Sequence, residues 1–88
     1  MKNSQPLELQ VRNTDQLGNT IKRFRKQESW IQAEAGKRGG INQKIVSAIE
    51  NGIPGTRIET LFKLLAALDL ELVVRKRRKS TDLPETTD

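Results

Sequence analysis

The side chains best suited to chemistry lie in one short stretch, "GINQKIVSAIENG", at residues 40–52. Gln43 and Lys44 begin a predicted helix, and in the major groove of DNA glutamine can pair with adenine and lysine with guanine. Ser47 could reach a base or a phosphate, and the small Ala48 could contact a thymine methyl group. An ordinary solvated role at the helix surface remains the alternative for each of these residues.

Catalysis has little support in the composition. The chain contains no histidine, cysteine or tyrosine. This excludes Ser-His-Asp and Cys-His nucleophile systems, and it excludes metal sites built from imidazole or thiolate ligands. An enzyme that uses carboxylates alone stays formally open, but the acidic residues are scattered at positions with ordinary helical uses. We therefore expect a protein that is not an enzyme and has no cofactor or metal.

The size and charge of the chain favour a small binding domain. It has 88 residues, is 34% hydrophobic and carries a net charge of +5. Such a thin core is often reinforced by dimerisation, and the positive charge suits a polyanionic partner. No apolar run could span a membrane, the N-terminus lacks the apolar core of a signal peptide, and the absence of cysteine favours the reducing cytoplasm.

Four helices must position the candidate residues. We expect Thr14 to cap the first helix, whose apolar face is Leu17, Ile21 and Phe24. A second helix over residues 31–38 should end at the double glycine 39–40, since glycine accepts the left-handed conformation that follows a helix.

The third helix should begin at Asn42 as N-cap and end at Gly52, with Ile41 and Val46 forming a hydrophobic staple. Its predicted buried stripe is Ile45, Val46 and Ile49.

The fourth helix should begin with a capping box formed by Thr56 and Glu59. Its broad apolar face predicts the central core helix and comprises Ile58, Leu61, Phe62, Leu64, Leu65 and Leu68. Phe24, Phe62 and the single Trp30 are expected in the core, with a partner contact as the alternative for Trp30.

Residues flanking the helices divide the rest of the chain. Residues 1–13 form an N-terminal arm in which 7–12 alternate apolar and polar residues, which fits either a strand or an unstructured segment. Residues 14–69 are the helical domain. Residues 70–77 are rich in β-formers and predict a strand. The polar tail 78–88 should be disordered.

Two short helices joined by a glycine-containing turn match the helix-turn-helix motif. The stretch "WIQAEAGKRGGINQKIVSAIENG", residues 30–52, resembles the Cro/Xre family of phage repressors and bacterial regulators, whose fold is lambda repressor-like with four to five helices. The matching residues are Gln32, Glu34, Gly40, Ile41, Gln43, Val46, Ser47, Ile49, Glu50 and Gly52. Three residues depart from the family pattern, namely Ile31, Ala35 and Gly36. A glycine within a helix costs about 0.5–1 kcal/mol relative to alanine. The second helix should therefore be less stable than in typical relatives, or Trp30 should fill the space that Ala35 leaves where the family has a bulky leucine.

A narrower resemblance covers almost the whole chain. "LGNTIKRFRKQ", "SWIQ" and "LFKLLAALDLEL" look like HipB, the antitoxin family of HipBA toxin–antitoxin modules. The resemblance implies a homodimer that binds palindromic DNA operators and keeps a HipA-type kinase toxin inactive. It also implies that C-terminal strands pair between subunits in place of a fifth helix, through Leu70, Leu72, Val73 and Val74.

The resemblances also imply roles for individual residues. Gln32 should bind a phosphate beside the groove, and Arg25 and Glu50 should form an internal ion pair. Further candidates for phosphate contacts are Lys37, Arg38, Asn51 and Arg57, with Asn42 mainly a helix cap. The basic run at 75–79 could grip phosphates, assist toxin binding or be a solvated tail.

Two other functions remain open: a stand-alone Cro/Xre regulator without a toxin, and a protein-binding adaptor on the same scaffold.

Overall fold

The structure, a computed structural model, describes residues 8–77 and contains four helices in that range. They are α1 (Thr14–Gln27), α2 (Gln32–Gly39), α3 (Gln43–Glu50) and α4 (Ile58–Ala67). The prediction of a mostly helical fold is confirmed, with α2 and α3 as the helix-turn-helix. Leu7 and the predicted disordered tail 78–88 lie outside the described residues.

The start of α1 corrects one prediction. The N-cap is Asn13, whose backbone is extended and whose Oδ1 accepts a hydrogen bond from the Gln16 N–H at 2.8 Å. Thr14 is already helical. Both residue types cap helices well, and the neighbouring asparagine takes the position.

The first turn of α2 is stabilised by a side chain within the helix and not by the side chain of its N-cap residue. Ile31 is the N-cap, and its side chain has no acceptor to offer. Glu34 compensates, because its Oε1 accepts from the Ile31 N–H at 3.1 Å. The helix ends as predicted at the double glycine, where Gly40 has a φ of 72°.

Helix α3 begins as predicted, since Asn42 Oδ1 accepts from the Lys44 N–H at 2.7 Å. Val46 and Ile49 are buried, but Ile45 is 38% exposed. The predicted buried stripe is therefore wrong at Ile45. Adjacent residues lie about 100° apart around a helix, so Ile45 falls beside the face that packs on the core.

Helix α4 differs from its prediction in two ways. Arg57 is the N-cap and makes no side-chain capping bond, so the capping box of Thr56 and Glu59 is wrong. The buried face is also narrower than predicted, because Ile58 is 68% and Phe62 47% exposed. These two residues lie in the first half of α4, where their part of the predicted face is left uncovered.

One apolar cluster holds the four helices together. It comprises Ile21, Ala35, Val46, Ile49, Leu64, Leu65 and Leu68, with Leu17, Trp30, Ile41, Leu61 and Leu70 packed around it. Trp30 packs against this cluster, as predicted, although it is only half-buried. Phe24 is only half-buried.

Two glycines allow the helices to approach closely. A Cβ atom on Gly36 would lie 2.7 Å from the Ile41 carbonyl oxygen, so α2 packs against the following turn at a distance that leaves no room for a side chain. A Cβ atom on Gly18 would lie 2.5 Å from the Glu50 carbonyl oxygen, so α1 crosses the end of α3 at a position that only glycine fits.

The two flanking segments that the structure describes, residues 8–12 and 70–77, contain no strand. Asp69 has a φ of 59°, and the Leu70 N–H returns to the Leu65 carbonyl at 2.8 Å. This turn places Leu70 against the chain's own core. Leu72, Val73 and Val74 are 55%, 66% and 91% exposed. The strand predicted for 70–77 thus has no pairing partner within the part of the single chain that the structure describes.

Candidate nucleic-acid interface

The N-terminal ends of α2 and α3 lie side by side and bring two of the predicted DNA-contacting residues together. Gln32 is the first residue of α2 and Gln43 the first of α3. Gln43 Nε2 donates to Gln32 Oε1 at 3.2 Å. The pair joins the predicted phosphate contact to the predicted base contact across the turn of the motif.

Beneath this surface lies a buried ion pair. Arg25 Nε and Glu50 Oε2 are 2.6 Å apart, and a second bond from the Arg25 guanidinium reaches Glu50 Oε1 at 2.9 Å. Arg25 also donates to the Trp30 carbonyl at 2.6 Å. Both charged residues are less than a tenth exposed. The predicted internal pair is confirmed, and it ties α1 to the end of α3 and to the start of α2.

The charge state of the pair follows from its hydrogen bonds. Burial on its own would raise the pKa of Glu50, but hydrogen bonds from Arg25 and Gln32, with the charges of Arg25 and Lys22, hold it below its ordinary value. The hydrogen bond to Glu50 raises the pKa of Arg25 despite the opposing effect of burial. At neutral pH both groups are therefore ionised.

A third bond connects the ion pair to the surface. Gln32 Nε2 donates to Glu50 Oε1 at 3.0 Å. Because Gln32 also accepts from Gln43, four polar side chains form a continuous line from α1 to the tip of α3.

The outward face of α3 presents the other predicted base contacts. Lys44 is exposed, and Ser47 and Ala48 are half-buried. Asn51 Nδ2 donates to Ser47 Oγ at 3.3 Å, which engages the Ser47 hydroxyl at the end of the helix. Lys44 is thus the most exposed of these three residues and is accessible to a partner.

The predicted phosphate contacts are spread over three elements. Lys37 and Arg38 are exposed on the last turn of α2, and Arg57 is exposed at the start of α4. Arg38 is not isolated, because its guanidinium carbon lies 4.3 Å from the centre of the Trp30 ring. Such a cation–π contact favours one direction for an otherwise flexible side chain.

Two other kinds of site, a metal centre and a membrane span, are absent from the described residues. Between residues 8 and 77 no group of acidic side chains is placed to hold a metal ion. No helix in that range is both long and apolar enough to cross a membrane.

Comparison with known proteins agrees with the geometry. A family model described as "Helix-turn-helix" matches residues 21–74. Antitoxin HipB of Escherichia coli strain K12 is 36% identical over 73 residues, which are 83% of this chain and 81% of that protein. This chain belongs to the HipB antitoxin family. Both resemblances inferred from the sequence, to Cro/Xre-type domains and to HipB, are confirmed.

Solved structures of HipB superpose well on this HipB-family chain. A chain in the "HipA-HipB-O2-O3 complex" has a TM-score of 0.74 at 32% identity, covering 81% of this chain and all of that one. A chain in the "HipB-O4 20mer complex" gives a TM-score of 0.75 at 32% identity, with the same coverage. Helix-turn-helix antitoxins are a non-enzymatic class, so family membership confirms the prediction that the chain is not an enzyme.

Two interactions of the HipB-family chain were not foreseen from its sequence. The bond between Gln32 and Glu50 joins residues 18 positions apart, and the stacking of Arg38 on Trp30 depends on how α2 leaves the preceding turn. The spacing of Arg25, Gln32 and Glu50 in the family pattern was the available signal, but it indicated only the ion pair.

Proposed function

We propose that this HipB-family chain is a DNA-binding antitoxin that represses its own operon. It binds a palindromic operator as a homodimer, with one α3 in each of two successive major grooves. The observation that carries the proposal is the exposed first turn of α3, where Gln43, bonded to Gln32, lies beside Lys44 at the surface. The basic net charge supports a nucleic-acid partner.

The residues divide into those that read bases and those that grip the backbone. Gln43, Lys44, Ser47 and Ala48 face the base edges from α3. The phosphate contacts are Gln32, Lys37, Arg38, Asn42, Asn51 and Arg57. Among these, Arg38 is pre-oriented by Trp30, and Asn42 and Asn51 already serve α3 through their own hydrogen bonds.

Dimerisation uses the segment that follows α4. Leu72, Val73 and Val74 are exposed in the single chain, and a partner strand would cover them. Leu70 does not face the partner. It packs on the core of its own chain and anchors the start of the segment. The two α3 helices of such a dimer would lie about 34 Å apart, one turn of DNA.

The second partner is a HipA-type serine/threonine kinase, which the antitoxin keeps inactive in the bacterial cytoplasm. The support is the relative named antitoxin HipB and the solved complex named for HipA and HipB.

Binding of the purified chain to its own upstream DNA, measured over a salt titration, tests the DNA-binding function. We expect log K to fall linearly with log salt, because each neutralised phosphate releases counterions. If Lys44 reads a base, Lys44→Ala should cost about 1–3 kcal/mol of binding free energy and relax specificity at one base pair. If Lys44 only contacts a phosphate, the substitution should lower the affinity equally for all operator sequences. Binding that is independent of sequence would contradict the proposal and favour an adaptor.

Co-purification tests the toxin partner. A tagged chain expressed with its adjacent gene should retain a protein of kinase size. Specific DNA binding without a retained partner would instead support a stand-alone regulator.

A further inference from the structure

The line of polar side chains from the core to α3 has a direction. Arg25 donates to Glu50, Gln32 donates to Glu50 Oε1 at 3.0 Å, and Gln43 donates to Gln32 Oε1 at 3.2 Å. Every bond points inward, toward the buried carboxylate.

Chemistry fixes this direction at its buried end. An ionised carboxylate can only accept hydrogen bonds, so Gln32 must turn its NH₂ group toward Glu50. The Gln32 carbonyl oxygen then faces outward, and it too can only accept. Gln43 must therefore turn its own NH₂ group toward Gln32. A carboxylate at the core thus decides the orientation of an amide at the surface.

The orientation leaves Gln43 with a defined recognition pattern. One N–H and the Oε1 of its amide stay available, since within residues 8–77 the Gln43 amide makes no other hydrogen bond. A free donor beside a free acceptor matches the N7 and N6 groups of adenine. Guanine presents two acceptors at this edge. Gln43 could satisfy both of them only by turning its NH₂ group away from Gln32.

We propose that Glu50 is a positioning residue for DNA specificity: through Gln32 it orients the Gln43 amide and so favours adenine over guanine. The inference rests on the proposed operator binding and adds to the structural role of the Arg25–Glu50 pair. Glu50 itself touches no DNA, since it is only 5% exposed and lies at the other end of the line.

The first test replaces Glu50 by glutamine. A glutamine there can donate as well as accept, so Gln32 is no longer forced into one orientation. The base pair read by Gln43 is first identified as the position at which Gln43→Ala loses its base preference, in a duplex taken from the DNA upstream of the protein's own gene. At that position the preference of E50Q for adenine over guanine should fall about three- to tenfold, the effect of one hydrogen bond.

A second variant leaves the ion pair intact. Gln32→Met removes both bonds of the glutamine, and it should lower the same adenine preference even if E50Q does not fold. Lys37→Ala is the matched control, because Lys37 is an exposed candidate for a phosphate contact on the same helix. K37A should weaken binding to all duplexes equally and leave the adenine preference unchanged.

Nuclear magnetic resonance of the free protein tests the line without DNA. The side-chain NH₂ signals of Gln32 and Gln43 should lie away from that of Gln27, which is exposed at the end of α1. In E50Q the Gln32 and Gln43 signals should move toward the Gln27 signal. In Q32M the Gln43 signal should do the same.

The inference is overturned if a folded E50Q, or Q32M where E50Q is unfolded, keeps the wild-type preference, or if the wild-type Gln32 signal coincides with that of Gln27. A wild type without any base preference would refute the proposed function instead, and the resonance measurement would still decide whether the line exists.

Discussion

The two ends of the folded domain satisfy their side chains in opposite ways. At the helix-turn-helix, Arg25, Glu50, Gln32 and Gln43 find their partners within the chain. Beyond α4, residues 72–74 expose apolar side chains and pair with no strand that the structure describes. The first region is complete within the described chain, whereas the second exposes apolar side chains that no described part of the chain covers.

The contrast separates two kinds of stability. Removing a residue from the helix-turn-helix end should destabilise the domain itself, because a buried partner is left unsatisfied. Changing the C-terminal segment should leave the domain folded and alter its assembly. The following experiments test this division, beginning with the largest effect.

Glu50→Ala should cost about 3–5 kcal/mol of unfolding free energy, because it leaves the buried Arg25 guanidinium without its counter-charge. Urea unfolding followed by circular dichroism measures the loss. The matched control is Glu8→Ala, which breaks the exposed 3.4 Å pair with Arg75 and should cost less than about 1 kcal/mol. Equal effects would show that the buried pair does not hold the helices together.

Gly18→Ala should destabilise the domain by about 1–3 kcal/mol, because the new methyl group would press on the backbone at the end of α3. The exposed Asn19→Ala on the same helix should change stability by less than about 0.5 kcal/mol. Thermal unfolding of the two variants makes the comparison. A stable G18A would mean that α1 and α3 pack less closely than the structure shows.

Val73→Asp should leave the unfolding of the domain nearly unchanged but weaken dimerisation about tenfold or more, since it places a charge on the surface proposed to pair. Sedimentation of the variant over a concentration series measures the change. Val11→Asp in the N-terminal arm, where the valine is also exposed, is the control and should remain dimeric. A dimeric V73D would move the interface elsewhere, with the exposed Ile58 and Phe62 as the next surface.

Acid should weaken the helix-turn-helix end before it affects the C-terminal segment. The pKa of Glu50 is lower in the folded chain than its ordinary value of 4.5. Its contribution is therefore fully present above the unfolded pKa and is lost as pH falls through the folded one. The urea concentration at the midpoint of unfolding, measured from neutral pH downward, should decrease as the pH falls from the unfolded pKa of Glu50 through its folded pKa. The fall should be smaller in E50Q, and an identical fall in both proteins would exclude Glu50 as its source.

The sequence was most informative where structure is local. Asn42 and Gly40 each predicted a local feature that the structure confirms, whereas the ion pair of Arg25 and Glu50, 25 positions apart, was indicated only by the family resemblance. Errors arose where two neighbouring residues compete, as when Asn13 caps α1 in place of Thr14. The periodicity of α4 placed Phe62 on a broad apolar face, but it did not indicate which part of that face the other helices would cover.

The bonds that define the candidate site depend on tertiary placement. Nothing local to Gln32 indicates that its amide meets Glu50, because the contact exists only once α2 and α3 have packed. The C-terminal segment poses a different problem, since a strand needs a pairing partner and the part of the chain that the structure describes offers none to residues 70–77.

The single tryptophan has a practical use that follows from its surroundings. Trp30 is half-buried, its carbonyl is bound by Arg25 and its ring lies under Arg38. Its fluorescence therefore comes from one known place at the joint between α1 and α2. Any event that moves Arg38, such as capture of its guanidinium by a phosphate, should change the emission of the unlabelled protein and give a built-in optical signal of operator engagement.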